Sequence, residues 1–147
     1  MVELRAVDRD NIDAVLALKV YDDQKSFVST TAESLAQAYV YYDNAYPFSV
    51  YDDDKIVGFI MMGFYEAKNY YTLWKLLIDK DCQHKGFGKQ ALLLGIEFLK
   101  DKFDVEEIYT GVVPENAAAK RLYESVGFVF TGLREFGMEE MRLKVRE

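Results

Sequence analysis

Cysteine occurs once, at Cys82, and histidine once, at His84, so the chain can form no internal disulfide and gathers no cluster of soft metal ligands. No metal is expected. Long apolar runs are missing too: none approaches the ~20 residues needed to cross a bilayer. Met1 to Asp10 alternates charged and apolar residues, without the basic-then-apolar layout of a signal peptide. The expectation is a cytoplasmic protein with no membrane partner. Positive charge is in short supply, with 18 Lys and Arg against 25 Asp and Glu and a net charge of -7, which disfavours nucleic acid as a partner. The same field would gather a cationic substrate, and it equally serves to keep a protein in solution. Linkers, internal repeats and low-complexity tracts are also absent.

What is present is a chain of 147 residues, half apolar and 15% aromatic, which suits one domain, residues 1–147, with a real core. Val2, Leu4 and Ala6 alternate as a short strand, after which Asp8 or Asp10 can cap a helix carrying Ile12, Val15, Leu16 and Leu18. A loop, Tyr21 to Ser29, follows. Thr30 and Glu33 have capping-box spacing, and Leu35, Ala36 and Tyr39 continue as a helical stripe. Phe48 to Tyr51 and Ile56 to Phe64, joined by Asp52-Asp53-Asp54-Lys55, read as an antiparallel hairpin, and Tyr71 to Ile78 continues the sheet. Leu92, Gly95, Ile96, Leu99 and Phe103 then form one helical face. Glu107 to Val113 is a strand, Ala117 to Val126 a helix, and Phe128 to Phe130 with Glu139 to Val145 the last two strands. The strand-helix-strand order implies a parallel crossover within an otherwise antiparallel sheet, and so a mixed α/β fold with a cleft where parallel neighbours part.

Between strand and helix lies Gln83-His84-Lys85-Gly86-Phe87-Gly88, where helix-start N–H groups are unpaired, two glycines permit close approach, and Lys85 and Lys89 add positive charge. That is an anion site. A triphosphate loop is excluded, because Gly88-Lys89 is followed by Gln90 and the earlier glycine is replaced by Gln83. Gly86, Gly88 and Ala91 match a dinucleotide fingerprint, but the loop from Ile78 is too long for its tight turn. A glycine-bearing loop that merely starts a helix is the plain alternative.

Three segments in order give the loop its context: Leu76-Leu77-Ile78-Asp79, then Gln83 to Gly88, then Asn116, Ala119, Leu122-Tyr123 and Gly127-Phe128. Together they resemble the central strand, the Q/R-x-x-G-x-G/A loop and the N-x-x-A-x-x-L-Y-x-x-x-G-F segment of the GNAT acetyltransferases. The resemblance implies a mixed, mostly antiparallel sheet of about six to seven strands, its central parallel pair splayed to bind CoA, with about four flanking helices. It implies acetyl-CoA as cosubstrate, held by Leu76, Leu77 and Ile78 through their backbone, by Gln83, His84, Lys85, Gly86, Phe87, Gly88 and Lys89, and by Asn116 and Ala119. Asn116 also stands where an N-cap is expected. Tyr123 is implied as general acid to the departing thiolate, although its helical stripe equally suits packing.

The glutamate that many members carry at the start of the central strand is missing, since that stretch reads Thr72-Leu73-Trp74-Lys75. A water chain or a distant acid, Glu66 or Asp79, must then accept the proton. Asp22 to Val28 and Ser34 to Ala38 resemble the bacterial diamine and polyamine acetyltransferases, which would make Asp22, Asp23 and Glu33 carboxylate partners for the ammonium groups of spermine or spermidine. Incidental acids at a solvated helix end would look the same. A protein or peptide N-acetyltransferase and a CoA-binding sensor without catalysis are the other readings. A homodimer is compatible with all of them.

Overall fold

The computed structural model describes residues 1–146. Seven strands form one sheet: β1 (Val2–Ala6), β2 (Ala45–Asp52), β3 (Lys55–Tyr65), β4 (Tyr70–Ile78), β5 (Glu107–Val112), β6 (Val129–Glu135) and β7 (Met138–Lys144). Their spatial order is β1-β2-β3-β4-β5-β7-β6, and every pairing is antiparallel except β4 with β5. Four helices, α1 (Ile12–Ala17), α2 (Thr31–Val40), α3 (Phe87–Phe103) and α4 (Ala117–Val126), cover it.

The strands alternate their side chains between two faces, and each face has its own core. Leu92, Ile96 and Leu99 of α3 pack with Ile60, Met62, Leu73 and Ile108. Opposite them, Val15, Leu18 and Ala38 from the α1–α2 side meet Phe59, Met61 and Leu77. Gly95 lets α3 settle on β3, because a Cβ there would stand 3.0 Å from Met62 Sδ and 3.1 Å from Ile60 Cδ1.

Local details depart from the sequence reading. Asp8, not Asp10, braces the start of α1: its Oδ1 accepts from the N–H groups of Asp10 and Asn11, at 2.9 and 3.1 Å. Leu16 and Tyr39, assigned to apolar stripes, are exposed, and α2 buries Thr31, Ser34 and Ala38 instead. Short polar residues suffice there because Thr31 Oγ1 donates to Val15 O at 2.9 Å and Ser34 Oγ to Thr30 O at 2.9 Å, so neither hydroxyl is buried unpaired. The predicted capping box of Thr30 and Glu33 is present. Phe128 is buried ahead of β6, and that strand runs on to Glu135, well beyond the expected Phe130.

Candidate active site

β4 changes partners along its length. Tyr71, Thr72 and Leu73 pair with Ile108, Tyr109 and Thr110 of β5, and there the parallel ladder stops, while β4 stays bonded to β3 as far as Ile78. The last rung is made by a side chain, Thr110 Oγ1 donating to Leu73 O at 3.0 Å. Beyond it the β5-facing edge of Trp74–Ile78 opens into a cleft of about 780 Å³. A bulge coincides with the opening: Met61 faces Lys75 and Met62 faces Leu73, leaving Trp74 as the extra residue. The bulge turns both Trp74 and Lys75 toward the α1–α2 side, where Trp74 lies 6.1 Å from Tyr41 and Lys75 Nζ donates to Ser29 Oγ at 2.7 Å.

The cleft floor is the start of α3. Gly86, its N-cap, has φ +84, and no side chain caps the helix. Among the described residues no backbone carbonyl takes the N–H of Phe87, Gly88 or Lys89. Three donors and the positive end of a long helix dipole therefore face an opening. A Cβ on Gly86 would meet only Gln90 Nε2, at 3.8 Å, so the space above it is free. These features fit a diphosphate.

Gln83 has a different task from its loop neighbours. Its Nε2 donates to Ile78 O at 3.0 Å and to Gln24 Oε1 at 2.9 Å, and its Oε1 accepts from Gln24 at 3.0 Å. Its amide thus ties the end of β4 to the segment before α2. Across the cleft, Asn116 caps α4 by accepting from Ala119 N at 3.2 Å, and the side chains of both line the wall. Tyr123 lines it too, 8% exposed, with the Thr110 hydroxyl beside its own; burial pushes its phenol up to about 12. Leu76, Leu77, Ile78, Gln83, His84, Gly86, Phe87 and Gly88 share this lining, whereas Lys85 and Lys89 stand outside it.

The acids expected to hold the acceptor are not brought together. Asp22 is exposed and pairs with Lys25 at 2.9 Å, which with its hydrogen bond lowers its pKa, and neither Asp22 nor Asp23 lines a cleft. Glu33 does line the large one. Its carboxylate is held low by the Thr30 N–H and hydroxyl, which cap α2 through it. Asp79 is also committed, accepting from Lys19 N at 2.9 Å. Lys75, half-buried on the α1–α2 side with Glu33 nearby, has its pKa lowered by desolvation. Thr110, Gln24 and Lys75 were not singled out from sequence; the only available signal was their alternation in strands or loops whose pairing was unknown.

Among the described residues no group of three or more His, Cys, Asp or Glu could hold a metal ion, and no helix is long and apolar enough to cross a membrane. Comparison with known proteins gives a family model, the acetyltransferase (GNAT) family, matching residues 15–128. Two proteins are 32% identical to the chain over 151 residues, each covering 97% of both sequences. They are a probable spermine N(1)-acetyltransferase of Bacillus subtilis subsp. natto and a spermine/spermidine N(1)-acetyltransferase of Bacillus subtilis strain 168. Among solved structures, the spermidine N-acetyltransferase of Vibrio cholerae in complex with CoA and spermine superposes with a TM-score of 0.74 at 20% identity, over 96% of this chain and 92% of that one. With the splayed strand pair, the uncapped α3 and a match across most of its length, the chain belongs to the GNAT family of acetyltransferases.

Proposed function

We propose that the protein transfers the acetyl group of acetyl-CoA to a primary amine of a polyamine, spermidine, spermine or a related diamine, by direct attack within a ternary complex. The observation that carries this reading is the free edge of β4 beyond Leu73, ending at three unpaired helix-start N–H groups. An extended pantetheine arm can pair with such an edge as an added strand, its diphosphate resting on Phe87, Gly88 and Lys89 N–H. Bound there, acetyl-CoA supplies an activated thioester. The names of the two Bacillus relatives and the net charge of -7 support a cationic acceptor.

The chain's residues then have separate tasks. A backbone N–H of Leu76 to Ile78, on the strand edge left without a β5 partner, holds the thioester oxygen as it gains charge. The amine lone pair forms the C–N bond, the C–S bond breaks, and Tyr123 O–H donates to the sulfur as it leaves. No carboxylate is poised as base, because Glu33 is the one acid in the lining and it serves as a cap. Lys75 works in its place by a different route: a cation beside a bound ammonium disfavours the charged form and lowers that amine's pKa from about 10.4. The proton leaves to water. Mixing the protein with acetyl-CoA and either spermidine or a lysine-containing peptide, and following free thiol, tests the reading. Release of CoA with spermidine and not with the peptide is the expected result; equal rates would refute the polyamine assignment.

A further inference from the structure

A second cleft, of about 690 Å³, adjoins the first, for Thr72, Trp74 and Phe136 line both. Its walls are aromatic, from Tyr41, Phe64, Tyr65 and Trp74, and Glu66 is the one charged side chain in its lining. Gln37 Oε1 is buried without a hydrogen-bond partner. Glu66 accepts one bond, from Asn44 Nδ2, and among the described residues no cation pairs with it. The buried orphan carbonyl is costly unless a donor reaches it, and the exposed Glu66 carboxylate, with no cation of the chain beside it, is free to pair with a cationic donor over the aromatic rings.

Phe136 points the same way. It occupies the turn between β6 and β7 with φ +54, followed by Gly137 at φ +74, a two-residue turn that asparagine and glycine adopt with less strain than a bulky ring. Its side chain is 83% exposed at the junction of the two clefts, so neither packing nor turn geometry accounts for it.

Resting on the polyamine reading above, we infer that this aromatic cleft is the subsite for the distal ammonium of the acceptor, with Glu66 and Gln37 as its hydrogen-bond acceptors and Phe136 as its roof. A polyamine then lies with one end beside Lys75, which disfavours charge, and the other in a box that favours it. The orientation that places a neutral amine at the thioester is the one selected. Glu66 and Phe136 thereby set specificity for diamines over monoamines and take no part in acetyl transfer itself.

The test compares spermidine with hexylamine as acceptors for the wild type, Glu66→Gln and Phe136→Asn. Glu66→Gln keeps the amide oxygen that Asn44 needs and removes the charge. It should lower kcat/KM for spermidine about tenfold more than for hexylamine, the scale of one charge-assisted hydrogen bond. Phe136→Asn should raise the KM for spermidine several-fold while raising Tm, a pairing that a structural role for the ring would reverse. A wild type that treats the two amines alike overturns the polyamine reading and this subsite together. A wild type that prefers spermidine but is indifferent to Glu66→Gln overturns the subsite alone.

Discussion

Replacing Tyr123 by Phe removes one oxygen from the wall of the large cleft, and the structure bounds what that oxygen can do. Its phenol is held at about 12, roughly two units above an ordinary tyrosine, by burial. An alkyl thiol ionises near 8.5, so complete transfer of the phenolic proton to the free thiolate is uphill by about 3.5 units, or about 5 kcal/mol. In the proposed reaction Tyr123 therefore has the role of a hydrogen-bond donor to sulfur while charge accumulates there. Loss of one such donor costs about 10²- to 10³-fold in kcat. Stability should hardly change, because the Thr110 hydroxyl already spends its proton on Leu73 O and is left with no orphan donor. The assay is thiol release under single-turnover conditions with spermidine, from pH 7 to 10.5. At pH 10.5 an ordinary phenol would be about three-quarters ionised and one at 12 only about 3%, so the wild-type rate should show no descending phenolic limb. A Tyr123→Phe enzyme that keeps more than a tenth of wild-type kcat, or a wild type whose rate falls with a midpoint near 10, would refute the reasoning.

Gly86→Val places a Cβ over the uncapped start of α3 at φ +84, and should weaken CoA binding at least tenfold by calorimetry, with a modest fall in Tm from backbone strain. Unchanged affinity would remove the loop from the binding site. Lys75→Met should lower the KM for spermidine, by deleting a like charge, and displace the rising limb of the pH–rate profile to higher pH, since the bound amine regains its ordinary pKa. An unmoved limb would show that Lys75 does not depress the amine. The Tyr123 phenol also links stability to pH. The folded state keeps a proton that the unfolded chain loses near pH 10, so the contribution is intact below 10 and is lost as pH rises toward 12. Relative to Tyr123→Phe, the wild type should lose about 3 kcal/mol over that interval, measured by denaturant midpoints at matched pH; a constant difference would contradict the burial shift.

The α/β class and the order of elements were legible because periodicity reports burial: Leu92, Ile96 and Leu99 recur on one helical face, and Val2, Leu4 and Ala6 alternate. The insertion of β7 between β5 and β6 was not, since strand order depends on contacts distant in the chain. The uncapped start of α3 could be read because its free donors are backbone groups fixed by a strand-to-helix junction. Where the acids lie could not. Asp22 and Asp23 drew attention as a local acidic pair, yet the three-residue 3₁₀ turn that holds them, Asp22–Gln24, leaves both in solvent. Glu66 and Gln37 are far apart in sequence and meet only through the β3–β4 hairpin and α2. A bulge such as that at Trp74 shifts which side chains share a face, and no spacing rule announces it.

The short seam between β4 and β5 has a mechanical consequence. Three residue pairs and one threonine hydroxyl make the seam between a four-stranded plate, β1 to β4, and a three-stranded one, β5 to β7, and the side chains of Lys68 and Tyr70 reach Glu135, Glu140 and Tyr109 across it. Two plates sharing so short a strap bend most easily about it, at Leu73 and Thr110, against the packing of α3 over both Ile60 and Ile108. A molecule spanning both edges would brace the plates beyond their hinge, much as a strut stiffens an open book. Amide exchange should then slow on binding in β5 and β7, which lie beyond the hinge from the α3 loop, as well as along the free edge of β4.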